Sequence, residues 1–311
     1  MRTAFIQSLH ALASQDERIW LITGDVGYGV VDAFAQSFPE RYLNAGIAEQ
    51  NIIGIATGLA LSGKIPVVYS IANFPIFRCL EQIRNDVCYH SANVKIVTVG
   101  GGLAYGPLGY THHGIEDLAV MRALPNMVVI APADPVETKL ATVESIKNPG
   151  PVFLRLGKAG EPTIHEQEPK FNIGQSITLR EGKDLSLIGA GNIMFNVLAA
   201  AKVLADWGID ARVLSMHSIH PLDENAIKRC WEETAAIITV EEHGFRGGLG
   251  SAVAEVIAEN GHCYQGNSAR FKRIAIANQI QASGTQEWLQ SQNGLLPQQI
   301  AQSARQLLEN K

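Results

Sequence analysis

The sequence predicts an α/β protein built of two consecutive doubly wound domains with mainly parallel sheets. Three observations carry that expectation. Short apolar runs rich in β-branched residues recur between glycines and prolines, which is how strands covered on both faces read. Longer segments of helical periodicity fill the intervals, so strand and helix alternate and the crossovers make the sheets parallel. From residue 157 to about 172 the chain turns polar and carries Gly157, Gly160, Pro162 and Pro169, the composition of a linker, and a second alternating unit follows. The domains are therefore expected at residues 1–160 and 173–311, joined by a linker over about 161–172.

In chain order, a helix is expected over residues 1–14, a strand over 19–23 and a helix over 48–62. A strand over 66–70 leads to a helix over 77–89, and a strand over 95–99 leads to a glycine-rich loop that starts at Gly100. Strands over 127–130 and 152–156 flank a helix over 135–146 and complete the first unit. In the second unit strands are expected over 185–189, 210–214 and 236–240, with a helix over 192–208 and a helical tail over 297–311. Gly189, Gly191, Gly247, Gly248 and Gly250 do not complete Gly-x-Gly-x-x-Gly with an acidic residue at the right distance. Tight strand-to-helix turns are the preferred reading of these glycines, and a dinucleotide-binding dehydrogenase is the minor alternative.

With 311 residues, 46% hydrophobic and 18% charged, the chain can bury two cores and has the composition of an ordinary soluble enzyme. A net charge of -5 and the lack of a long Lys/Arg cluster argue against a general nucleic-acid binder. The first ten residues lack the apolar core of a signal peptide, and no apolar run is long enough to span a bilayer, so the cytoplasm is the expected location. Cys79, Cys88, Cys230 and Cys263 show no Cys-x-x-Cys spacing and are expected to be reduced and buried, not a metal site or redox pair.

Residues 44–55 place a carboxylate, Glu49, just after a glycine turn and at the head of an apolar helix. Its apolar and small neighbours through Gly63 predict burial. Burial raises a carboxyl pKa, the helix N-terminus favours the anion, and without a cationic partner the group would be readily protonated. Taken alone, a Glu in a first helical turn complements the macrodipole and the unpaired amides. Phe74 and Phe77, three residues apart, are core residues on the plain reading, or an aromatic face for a flat ring. His112 and His113 follow Gly109, Tyr110 and Thr111 on the glycine-rich loop, where an imidazole can donate to a carbonyl oxygen and shuttle protons near neutrality. Arg155 and Lys158 lie at a strand end, available to an anion or to an ion pair.

Gly46-Ile47-Ala48-Glu49-Gln50 resembles the signature of the pyrimidine-binding domain of the transketolase family, which includes deoxyxylulose-phosphate synthase. Residues 73–85 look like that family's aromatic segment, and residues 110–117 like its Thr-His-Gln segment. Residues 240–250, Val-Glu-Glu-His-Gly-Phe-Arg-Gly-Gly-Leu-Gly, are similar to its last domain, so the resemblance spans nearly the whole chain. It implies thiamine diphosphate as cofactor. Glu49 matches the glutamate that bonds the aminopyrimidine and favours the imino tautomer, whose nitrogen takes the thiazolium proton. Phe74, and more weakly Phe77, match the ring contacts. His112 aligns with the histidine near the thiazolium and the substrate carbonyl, with His113 beside it as a spectator or support. Lys158 falls near a family arginine that binds substrate phosphate, with Arg155 close by.

The family also needs Gly-Asp-Gly followed by Asn-Asn to hold Mg²⁺ and the diphosphate. Gly24-Asp25-Val26-Gly27 is the nearest approach, which makes Asp25 a cofactor-binding candidate, and no Asn-Asn occurs. No metal ligand is expected in this chain. The resemblance therefore implies the C-terminal subunit of a split transketolase, moving a two-carbon ketol unit from a ketose or ketose-phosphate donor to an aldehyde. A separate N-terminal subunit in an α2β2 assembly would bind most of the Mg²⁺ and diphosphate. Two positions depart from ketose-phosphate members: Leu108 stands where they have an aspartate, and Gly100 where they have a histidine. The alternatives are the beta subunit of a 2-oxo-acid decarboxylating enzyme, a deoxyxylulose-phosphate-synthase-like enzyme, and a non-catalytic binding or regulatory module of the same fold.

Overall fold

The computed structural model describes residues 1–260 and 269–309. Twelve strands lie among them: β1 (Ile19–Thr23), β2 (Tyr42–Asn44), β3 (Ile65–Ile71), β4 (Lys95–Val99), β5 (Val128–Ile130), β6 (Val152–Leu156), β7 (Ile177–Arg180), β8 (Leu185–Ala190), β9 (Ala211–Ser215), β10 (Ser218–His220), β11 (Ala236–Gly244) and β12 (Arg270–Ile276). The helices among the described residues are α1 (Arg2–Ala13), α2 (Asp32–Ser37), α3 (Glu49–Leu61), α4 (Phe74–Arg78), α5 (Leu80–Gln82), α6 (Asp117–Arg122), α7 (Pro135–Lys147), α8 (Met194–Asp206), α9 (Glu224–Glu233), α10 (Leu249–Asn260), α11 (Gln286–Gln292) and α12 (Pro297–Glu309). They cover two sheets, of seven strands in the order β10-β5-β6-β4-β3-β1-β2 and of five in the order β12-β11-β8-β9-β7. Pairing is parallel throughout except between β10 and β5 and between β7 and β9. The α/β architecture with mainly parallel sheets is thus as the sequence predicts. β10 follows β9 in the chain yet pairs with β5, so the second half of the chain contributes an edge strand to the first sheet.

The cores explain the pattern. All five residues of β4, β6 and most of β1, β3, β8 and β11 are buried, because helices cover both faces of each sheet. Each buried Leu, Ile or Val among them contributes about 1.5–3 kcal/mol of apolar transfer energy. Among the described residues no helix is long and apolar enough to cross a membrane. Cys79, Cys88 and Cys230 are free and buried. Burial pushes the Cys79 thiol up to about 12 and Cys88 to about 11, so both stay protonated and unreactive. Cys263 lies outside the described residues.

Of the expected helices, one differs in kind. The helix expected over 77–89 begins earlier, at Phe74 with Pro75 in its first turn, and breaks at Cys79, whose φ of -120° leaves the helical region. The chain resumes as α5 and then a π-helical turn, Ile83–Cys88, that buries Ile83, Val87 and Cys88. The break leaves the last carbonyl of α4 without an intrahelical partner, and Gln50 Nε2 on α3 donates to it at 2.9 Å. That bond ties the first turn of α3 to Arg78.

The glycines of 247–250 do form a tight turn. Leu249 and Gly250 at the head of α10 donate their amides to Glu241, at 2.7 and 2.8 Å. The buried Glu241 carboxyl therefore occupies the place where a helix N-terminus would receive a phosphate.

Candidate active site

Glu49 is the first residue of α3 and is buried. Gly46, at φ +71°, makes the turn before it, a conformation open to glycine and costly for a residue with a Cβ. The side chain of Asn44 braces that turn by accepting from the Gly46 amide at 3.1 Å. Burial is as the sequence predicts, but the expected lack of a cationic partner is not what the structure has. Arg78 Nη1 donates to Glu49 Oε1 at 2.6 Å. The break at Cys79 is the reason: it ends α4 at Arg78, opposite the first turn of α3.

A series of contacts runs outward from this pair. The Arg78 guanidinium lies over the Phe74 ring, 4.4 Å from its centroid. Phe74 meets the His112 ring edge-on at 5.3 Å, and His112 meets Tyr105 edge-on at 6.3 Å. Lys158 Nζ stands over the Tyr105 ring at 5.1 Å. Glu49, Phe74, His112 and Lys158, chosen from the sequence, are thus brought into one line, together with Arg78 and Tyr105, which the sequence reading passed over. Beside Phe74 opens a cleft of about 490 Å³ lined by Asn73, Phe74, Phe77, Arg78, Tyr110, Thr111 and Glu116. Phe77 borders the cleft and is partly exposed, outside the line itself.

The loop that carries His112 is held by side chains from both halves of the chain. Gly102 and Gly114 exchange backbone hydrogen bonds across its base, at 2.8 and 2.9 Å. Asn73 Nδ2 donates to the carbonyls of Thr111 and His113, at 3.3 and 2.6 Å, and so fastens the loop to the head of α4. The Leu103 amide donates to Glu242 Oε1 at 2.6 Å, and Gln286 and Gln290 of α11 donate to the same carboxylate. His113 points inward, fully buried, with Nε2 3.3 Å from the Gly106 carbonyl, whereas His112 faces Phe74 and Tyr105.

Two sequence candidates sit elsewhere. Arg155, chosen for substrate, is buried: Nε donates to Asp117 Oδ2 at 2.8 Å, and Nη2 donates to the Gly114 and Glu242 carbonyls. Its charge is spent inside the protein, where it supports the loop, and only Lys158 of the two cations is exposed. Asp25, at φ +58°, accepts from Tyr28 Oη at 2.6 Å and from Asn44 Nδ2 at 3.2 Å. These bonds, Tyr28 first, hold its carboxyl below the usual range. Asp25 thus adjoins the turn that presents Glu49, apart from the Phe74–His112 line.

The residues present fit half of a ligand site. A buried carboxylate, an aromatic face and a cleft suit a flat heteroaromatic ring with a basic nitrogen. Among the described residues no group of three or more His, Cys, Asp or Glu is placed to hold a metal ion.

Comparison with known proteins matches residues 1–160 to the family described as transketolase, pyrimidine binding domain, and residues 174–300 to transketolase, C-terminal domain. An apulose-4-phosphate transketolase subunit of Phocaeicola vulgatus is 42% identical over 83% of this chain and 84% of its own. The 6-deoxy-6-sulfo-D-fructose transketolase subunit SqwH of a Clostridium species is 33% identical over 100% of this chain and 95% of its own. The solved structure of a split gene transketolase, inactive beta4 tetramer, superposes with a TM-score of 0.88 at 36% identity, covering 99% of this chain and 97% of that one. The chain belongs to the transketolase family, of which it carries the pyrimidine-binding and C-terminal domains.

Proposed function

We propose that the chain is the C-terminal subunit of a thiamine-diphosphate-dependent transketolase, and that it moves a two-carbon ketol unit between an anionic ketose and an aldehyde only when assembled with an N-terminal subunit as α2β2. The carrying observation is the single line from Glu49 through Phe74 and His112 to Lys158. These contacts support a ring site at Glu49 and Phe74, followed by a proton-handling imidazole at His112 and an anion-binding ammonium at Lys158, the order that a cofactor and its substrate require. Thiamine diphosphate, when bound, supplies a thiazolium carbon that becomes a nucleophile on losing its proton. Glu49 would share a proton with a ring nitrogen of the aminopyrimidine, in competition with Arg78, which donates to its Oε1. Phe74 would stack on the ring, Phe77 would border it from the wall of the cleft, and Asp25 would steady the turn that presents Glu49. His112 donates to the substrate carbonyl oxygen, and Lys158 receives the anionic end of the substrate.

The diphosphate and Mg²⁺ are assigned to the partner, because Gly-Asp-Gly and Asn-Asn do not occur in this sequence. Tyr28, Ile47, Phe77 and Leu108 are exposed large apolar side chains near or on this face, as suits a surface covered by a second subunit. The relatives named as subunits support the division. The test is reconstitution with an N-terminal subunit carrying both missing motifs, followed by an assay with D-xylulose 5-phosphate or pyruvate as donor and D-ribose 5-phosphate as acceptor. Ketol transfer from the sugar phosphate without release of carbon dioxide is the expected result. Decarboxylation of pyruvate in its place would overturn the reading.

A further inference from the structure

Gly100 and Tyr105 complement each other. A Cβ built on Gly100 would come within 2.0 Å of Tyr105 Cε2, so the Tyr105 ring lies where a side chain at position 100 would begin. The tyrosine fills that space from five residues further along. The ring is half-buried between two candidate functional groups, with His112 edge-on at 6.3 Å and Lys158 Nζ over its face at 5.1 Å. Its hydroxyl has no hydrogen-bond partner among the described residues, and Leu108, three residues on, is exposed and apolar. Burial raises the phenol above its ordinary value, so at neutral pH it is an uncharged donor.

We propose that Tyr105 is the specificity-determining residue of this site: its hydroxyl binds a hydroxyl of the substrate between His112 and Lys158, and its ring face fixes the Lys158 ammonium for a terminal tetrahedral oxyanion. The inference rests on the transketolase reading for its substrate class, a short-chain sugar ending in phosphate or sulfonate. Cation–π contact holds the flexible lysine stem over the ring, and removing the phenol oxygen removes one hydrogen bond while leaving that contact in place.

The test uses Tyr105→Phe and Lys158→Ala in the full chain, each checked for wild-type circular dichroism. D-ribose 5-phosphate and D-ribose are titrated calorimetrically into the chain, and the kinetics are measured after reconstitution. The wild type is expected to prefer the phosphate ester by about tenfold or more. Tyr105→Phe should weaken its binding, and raise its KM, by about five- to tenfold while kcat changes less than about twofold. Lys158→Ala should erase the preference for the ester. Equal binding of D-ribose 5-phosphate by wild type and Tyr105→Phe, or binding of neither sugar by the wild type, would overturn the proposal. Ketol transfer that is indifferent to Tyr105→Phe refutes this inference and leaves the transketolase reading intact. Tyr105-dependent binding without any ketol transfer does the reverse.

Discussion

Glu49→Gln is expected to lower the turnover of the reconstituted enzyme by about 10²–10⁴-fold, with the fold unchanged. Glutamine keeps the shape and can still hydrogen-bond, but it cannot take up and release a proton, and proton sharing with the aminopyrimidine is the role assigned to this carboxyl. The structural cost is small by comparison. The ion pair lost with the carboxylate has Arg78 as its other half, whose side chain is 49% exposed, so solvent screening keeps the loss to about 1 kcal/mol or less. Arg78 retains its place over Phe74 and its carbonyl bond from Gln50. Circular dichroism and the urea midpoint should therefore stay close to wild type while turnover collapses. A Glu49→Gln enzyme with near wild-type turnover would remove Glu49 from the chemistry.

Arg155→Met should destabilise the protein by about 3–5 kcal/mol, although the same substitution at Lys158 should change stability by about 0.5 kcal/mol or less. The difference follows from burial. Arg155 pairs with Asp117 inside the protein, and both side chains are almost wholly removed from water. Methionine fills most of the volume but leaves the Asp117 carboxylate without its cation, and takes one donor away from each of the carbonyls of Gly114 and Glu242. These carbonyls belong to the base of the His112 loop and to β11, so the variant should also loosen the loop and depress activity. Replacing Asp117 by leucine in the same chain removes the stranded charge and should recover part of the stability. Urea denaturation of the single and double variants checks both statements. Equal midpoints for Arg155→Met and Lys158→Met would mean that Arg155 carries no structural charge pair.

Legibility followed exposure. β4 and β6, buried along their whole length, read from the sequence as continuous apolar runs and were bounded correctly. The edges were not legible: β2 and β10 are three residues each, β7 is half-exposed, and β12 opens with Arg270, Lys272 and Arg273, which hide its apolar end. In the site, Glu49 and His112 stood out through their spacing from glycine turns and through the family motifs. Arg78 did not, because its reach to Glu49 depends on a helix break at Cys79 that apolar periodicity conceals. Arg155 sits inside the apolar run of β6, and that embedding was the available sign of a buried ion pair. Asn73 acts on carbonyls 38 and 40 positions further along the chain, and the Tyr105 ring packs into the space that Gly100 leaves open, neither of which a local pattern records.

The most direct measurement is calorimetric titration of thiamine diphosphate and Mg²⁺ into this chain alone, and then into the chain mixed with an N-terminal subunit carrying Gly-Asp-Gly and Asn-Asn. Binding to the mixture and not to the single chain is the predicted result, as the proposed division of the ring site and the diphosphate site between two polypeptides requires. Tight binding to this chain alone would contradict the shared site.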